Sequence, residues 1–236
     1  MKQKIIIEDL GIKPYKEIWD YQEELLKKKV DLKKELHLHS DQTNLYLNTH
    51  HLLLVEHYPV YTLGKNGKDA NVLISEHFLK AKGIDFFRIN RGGDITFHGP
   101  EQLVGYPILD LEKFSPDIGK YLRDLENVII KTIAHFGIKG ERSTGETGVW
   151  IDMGKKGMER KICAMGVKCS RWVTMHGWAL NVNTDLSYFE NIIPCGIRDK
   201  QVTSMQKEVG SNISMKEVKY ILKQKFSEVF DVEVIN

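Results

Sequence analysis

KICAMGVKCSRWVTMHGWALNVN, Lys161 to Asn183, contains two apolar runs, Lys161–Cys169 and Trp172–Asn183, with almost nothing between them. Two strand-like runs that close together predict an antiparallel pair, because no chain is left for a crossover. Similar short runs lie upstream at Leu52–His57 (LLLVEH), Asp85–Asn90 (DFFRIN), Ile95–Gly99 (ITFHG) and Gly148–Asp152 (GVWID). Helical patterns flank them. Ser115-Pro116-Asp117 reads as an N-cap with proline at the first helical position. Behind it Ile118, Leu122, Leu125, Ile129, Ile133 and Phe136 recur at helical spacing, and Gly137 is the stop. Ser214 and Glu217 read as a capping box opening a helix with Val218, Ile221, Leu222 and Phe226 on one face. A third helix is predicted from Pro14 towards Glu35, with Ile18, Leu25 and Leu26 inward. Strands come in groups rather than alternating one for one with helices. The predicted class is therefore α+β, a mixed or antiparallel sheet flanked by helices. No repeat, low-complexity run or linker divides the chain, which is read as one domain over residues 1–236.

The composition narrows the function classes. Of 236 residues 42% are hydrophobic and 28% charged, an ordinary globular balance. Lysine and arginine number 34 against 32 aspartate and glutamate, a net charge of +2, so no global field points to nucleic acid. No stretch approaches the roughly 18 apolar residues of a membrane span. The start, MKQKIIIEDLG, has neither the apolar core of a signal peptide nor the arginine-rich pattern of a transit peptide. Cys163, Cys169 and Cys195 form no CxxC pair and suit free thiols in a reducing cytoplasm. No metal-ligand spacing and no cofactor motif is found, so neither a metal nor a cofactor is expected.

Four segments concentrate residues a plain core would not need. In NRGGDITFHGPEQ (Asn90 to Gln102) two glycines allow close backbone approach and Arg91 supplies a cationic fork; the plainer reading is a hairpin turn with His98 there by chance. The glycine spacing is wrong for a dinucleotide or P-loop. In ERKICAMGVKC (Glu159 to Cys169) Lys161 opens an apolar strand, either facing a pocket as a base or ending in water. In MHGWALNVN (Met175 to Asn183) His176 is a substrate contact or, more commonly, a histidine hydrogen-bonded to backbone. In NIIPCGI (Asn191 to Ile197) Cys195 sits between Pro194 and Gly196, on a turn where a thiol would be exposed and usable given a nearby base. Strand alternation places Lys161 and Cys163 on one face, which makes Cys163 a rival thiol; an apolar setting would leave it inert.

Taken in order, these segments resemble the lipoyl(octanoyl) transferase family. The stretches that carry the resemblance are VEHYPVYTLGKNG (Val55 to Gly67), RGGDITFHGPEQLVGYPILDL (Arg91 to Leu111), TGETGVWID (Thr144 to Asp152), Lys161 to Asn183, IIPCGI (Ile192 to Ile197) and VTSM (Val202 to Met205). The resemblance implies an α+β fold akin to lipoate- and biotin-protein ligases, with Cys195 as acyl-accepting nucleophile and Lys161 as catalytic lysine. It places substrate contacts on Arg91, Gly92, Gly93, His98, Gly166, Val167, His176, Gly177 and Ala179. It implies octanoyl-acyl carrier protein as donor. The acceptors it implies are lipoyl domains of 2-oxoacid dehydrogenase complexes and the glycine cleavage H protein. Two positions depart from the family pattern: Glu101 stands where glycine is common, and Cys163 where alanine is common. Backbone amides near Lys161 or in the Gly92-Gly93 turn are the expected oxyanion donors. Two rival readings remain at this level: an ATP-dependent lipoate-protein ligase, and a non-catalytic module binding acyl carrier protein or lipoyl domains.

Overall fold

The structure is a computed structural model and describes residues 2–38, 49–193 and 201–235. In chain order it runs β1 (Gln3–Lys13), α1 (Tyr15–Leu38), β2 (Thr49–His57), β3 (Val60–Leu63), α2 (Glu76–Ala81), β4 (Asp85–Arg88), β5 (Ile95–His98) and β6 (Gln102–Ile108). There follow α3 (Ile118–Ala134), β7 (Glu141–Arg142), β8 (Val149–Ile151), β9 (Arg160–Ser170), β10 (Val173–Asn181), β11 (Gln201–Val202), α4 (Met205–Val209), α5 (Met215–Phe230) and β12 (Val232–Ile235).

The antiparallel pair read from Lys161–Asn183 is present as β9 and β10, in register from Val173↔Ser170 to Leu180↔Cys163. It lies inside a large sheet of order β12-β1-β2-β6-β10-β9-β8-β7, with β11 added beside β9. The sheet is mixed: β1 runs parallel to both β2 and β12, whereas β2–β6, β6–β10 and β9–β8 are antiparallel. A smaller sheet, β4-β3-β5, stands apart. Because β4 and β5 both pair with β3 and not with each other, the Asn90–Asp94 stretch is not the hairpin turn of the plainer sequence reading.

The large sheet is covered on both faces, which explains the unbroken apolar run of β2. Leu52 and Leu54 face the α3 and α5 side with Leu125, Ile129, Leu222 and Phe226. Leu53 and Val55 face α1 through Ile18. Burial at about 25 cal/mol per Å² on two faces is what makes such continuous runs stable as strands. α3 begins two residues later than its proline suggests: Asp117, not Ser115, is the N-cap, its carboxylate accepting from the Lys120 amide at 2.9 Å. Ser214 caps α5 as expected, accepting from the Glu217 amide at 3.4 Å. No helix among the described residues is long and apolar enough to cross a membrane.

Glu101 adopts φ of 62°, the left-handed region where glycine is favoured. Its conformation is fixed from several sides. Glu56 Oε2 accepts its amide at 2.9 Å, its carbonyl accepts from the Val182 and Asn183 amides, and its carboxylate accepts from Asn183 Nδ2. Such over-determination offsets a strain of about 1–3 kcal/mol.

Candidate active site

A cavity of about 450 Å³ opens where the two sheets meet α1 and α3, a volume within the roughly 300–1,000 Å³ of small-molecule sites. Arg91, Gly92, Gly93, His98, Gly166, Val167, His176, Gly177, Ala179 and Lys161 all line it. The sequence spreads these ten positions over more than eighty residues; β5, β9, β10 and the turn before β5 bring them together. Cys195, like all of 194–200, lies outside the described residues. The chain enters that segment from Ile193, whose amide donates to Asn71 O at 2.9 Å. It leaves it at Gln201 and Val202, which pair with Arg160 and Lys161.

The glycine turn is stitched to the sheet. Gly92 N donates to Val167 O at 3.0 Å, and a Cβ on Gly166 would stand 2.6 Å from Gly92 O, so only glycine permits this approach. That bond removes the Gly92 amide from the expected oxyanion donors. Arg91 folds over the turn, Nη2 donating to Thr62 O at 2.9 Å and Thr62 Oγ1 at 3.0 Å and Nη1 to Gly92 O at 3.0 Å. The fork thus ties the small sheet to the turn and leaves a fixed positive charge in the cavity wall.

His98 and His176 stand near that charge in the cavity wall and His57 packs edge-on against His98; burial keeps all three neutral. Burial lowers His57 to about 4 and His176 to about 3, and Arg91 adds to the depression of His176. His98 is held well below its ordinary value, first by burial and then by His57. Partners assign two of the tautomers. Gln102 Nε2 donates to Phe97 O and Asn181 Oδ1, so its Oε1 accepts from His98 Nδ1 at 2.8 Å. His57 Nδ1 donates to Lys13 O, which leaves Nε2 to accept from Tyr106 OH at 2.8 Å. His176 differs. It is 2% exposed, its φ is 59°, its amide donates to Gln22 Oε1 at 2.9 Å, and neither ring nitrogen has a hydrogen-bond partner among the described residues. The commoner fate expected for it, a bond to backbone, is not what the ring does. A strained, buried and unsatisfied imidazole on a cavity wall marks a place where a ligand supplies the missing partner.

Lys161 does not end in water. Its side chain is 12% exposed, with Nζ 4.5 Å from the centroid of the Trp150 ring and 3.8 Å from Glu146 Oε2. Cys163 does not share its face. Lys161 pairs with Trp150 and Cys163 with Val149, a slip of one residue that breaks the alternation and sends both Ile162 and Cys163 into the core. There burial pushes the Cys163 thiol far up, so this thiol is inert. Among the described residues, no group of three histidine, cysteine or carboxylate side chains is arranged to hold a metal ion.

Sequence reasoning passes over several wall residues. Tyr15 stacks on His98 with centroids 5.9 Å apart, and Ile118, Leu122, Phe189 and Val202 form apolar wall. Leu122 shows why: its helical spacing reads as core, and only the position of α3 at the cavity edge gives it another neighbour. Gln102 and Tyr106 do lie within the quoted motifs, and their polarity in a buried strand is the available signal.

Residues 14–227 match the lipoyl protein ligase A/B catalytic domain. The chain belongs to that family. Relatives in the same family include the octanoyltransferase of Christiangramia forsetii, 55% identical over 99% of both chains. The octanoyltransferase of Flavobacterium psychrophilum is 54% identical over the whole of both. Among solved structures, a bipartite lipoate protein ligase from Thermoplasma acidophilum superposes with a TM-score of 0.67 at 17% identity, covering 100% of this chain and 88% of that one. At that identity the likeness speaks for the fold, an α+β mixed sheet flanked by helices as the sequence predicts.

Proposed function

We propose that this family member is an octanoyltransferase that takes an octanoyl group from octanoyl-acyl carrier protein and delivers it to a lysine of a lipoyl domain through a thioester on Cys195. The observation that carries the reading is Lys161: an amine held inside a cavity with apolar walls, beside the point where the Cys195 segment rejoins the sheet. The octanoyltransferase relatives matching the full length support it.

In the first half-reaction the Cys195 thiol gives its proton to Lys161, and the sulfur attacks the donor thioester. The pantetheine thiolate leaves and takes that proton. In the second, the acceptor lysine amine attacks the acyl-Cys195 carbonyl and loses a proton to Lys161. The Cys195 sulfur leaves as an amide forms and takes that proton from Lys161, which restores the thiol and the free amine. Exchange of one thioester for another is nearly neutral and amide formation is downhill, so no ATP enters. General-base assistance of this kind contributes typically ~10²- to 10⁴-fold. The neutral His98 and His176 act as hydrogen-bonding wall, with His176 offering its unsatisfied ring to a polar atom of the substrate. Lipoyl domains of 2-oxoacid dehydrogenase complexes and the glycine cleavage H protein are the acceptors, and the cytoplasm the compartment.

The test is incubation with octanoyl-acyl carrier protein followed by intact-protein mass spectrometry. One octanoyl adduct formed without ATP, and discharged by a lipoyl domain, is the expected result. An adduct that needs ATP points to the ligase reading, and no adduct at all to a binding module.

A further inference from the structure

Glu146 is absent from the site residues that the sequence singles out, although it lies within TGETGVWID. Among the described residues, two carboxylates line the cavity. Asp94 is engaged in holding the glycine turn, accepting from Asn71 Nδ2 at 2.5 Å and the Ile95 amide at 2.7 Å. Glu146 instead faces Lys161, the one lysine lining the cavity among the described residues, at 3.8 Å and with its side chain 21% exposed. That separation is too long for a direct hydrogen bond, so the attraction acts through charge in a partly desolvated setting.

The turn bearing Glu146 is built to hold it there. Glu126 on α3 is fully buried and accepts the Gly148 amide at 3.0 Å. Arg123 braces it at 2.7 Å and Arg142 at 3.2 Å. Arg142 immediately precedes the turn and Gly148 closes it, so one buried carboxylate fixes both ends. Gly148 has φ of 124°, and a Cβ there would stand 2.6 Å from Cys163 O, so the turn also abuts β9 two residues beyond Lys161. Glu146 therefore has little freedom to leave the lysine.

We propose that Glu146 is a positioning residue for Lys161: held by the Glu126-braced turn, it orients the lysine amine in the cavity and competes for it with any incoming group. This rests on the octanoyltransferase reading for its catalytic consequence, but the ion pair itself is open to a test that needs no activity. Lys161 is labelled with acetic anhydride at pH 7.5 and quantified by peptide mass spectrometry against Lys139, which is 88% exposed and serves as internal reference. Glu146→Gln is expected to raise the Lys161-to-Lys139 labelling ratio about fivefold, the ratio corresponding to roughly 1 kcal/mol for a partly exposed pair. Glu146→Asp should stay near wild type, and both variants should keep the native melting temperature. In octanoyl transfer, Glu146→Gln should lower kcat about tenfold through lost orientation, with KM for octanoyl-acyl carrier protein within twofold. An unchanged labelling ratio in a natively folded Glu146→Gln protein overturns the proposal. Wild-type protein that shows no transfer, while the ratio still responds, removes the octanoyltransferase reading and leaves the pair standing.

Discussion

Lowering the pH is the perturbation on which the buried histidines make the sharpest claim. His57 and His176 are driven to about 4 and about 3, His50 to about 2, and His98 well below its ordinary value, in every case chiefly by burial. In the unfolded chain each returns to about 6.5. A depressed native value means that the stability is fully present above pH 6.5 and is lost as the pH falls towards the native values, because only the unfolded state gains the proton. At pH 5 each histidine contributes about 1.36 × 1.5, or ~2 kcal/mol, of destabilisation, and four give ~8 kcal/mol on an order-of-magnitude basis. That matches the whole stability of a typical domain, about 5–15 kcal/mol. Below pH 6.5 the slope should approach ~5 kcal/mol per pH unit, about 1.4 per histidine. The assay is urea unfolding followed by circular dichroism at intervals from pH 7.5 to 5. His176→Asn is the control, since asparagine tolerates the left-handed backbone and the ring has no hydrogen bond to lose. It should remove about a quarter of the slope. A urea midpoint that stays flat from pH 7.5 to 5 would refute the argument that these imidazoles are held neutral, and with it the role of His98 and His176 as uncharged cavity wall.

The remaining expectations concern the chemistry. Lys161→Ala should fold, because the strand around it stays apolar, and lose ~10²- to 10⁴-fold in transfer; Lys161→Arg should fail equally, since a guanidinium cannot accept the proton, and near-wild-type turnover by the arginine variant would exclude the base role. Cys163→Ala should keep activity, at about 1 kcal/mol or somewhat more in stability for the lost buried sulfur, whereas Cys195→Ser should abolish the adduct. An octanoyl group mapped by peptide mass spectrometry to Cys163 would contradict the burial argument. Hexanoyl donors should react about tenfold less efficiently than octanoyl ones, two methylenes at ~0.8 kcal/mol each, and equal kcat/KM for the two would show that the apolar walls do not grip the chain end.

Local signals made part of this molecule legible. The Ser214 cap, the helical spacing within α3 and α5 and the β9–β10 pair are all set by neighbours within a few residues, so sequence alone determines them, whereas the α3 cap falls at Asp117, two residues past the Ser115 that the proline suggests. Arg91, Gly92, Gly93, His98, Lys161 and His176 stand out by residue type in otherwise apolar surroundings, whereas Gly166, Val167, Gly177 and Ala179 are named only through the family resemblance. What lay beyond the sequence depends on contacts between distant segments. β1, read only as a charged start with three isoleucines, becomes a strand because β2 and β12 pair with it in parallel from far along the chain. The one-residue slip opposite Trp150 is invisible in a strand that reads as regular, yet it decides that Lys161 faces the cavity while Cys163 enters the core. Glu146 looked like any loop carboxylate until a buried glutamate twenty residues upstream fixed its turn beside the lysine. Sequence determines which groups are available; burial, register and charge proximity, which exist only once remote strands have paired, decide which of them meet and in what protonation state.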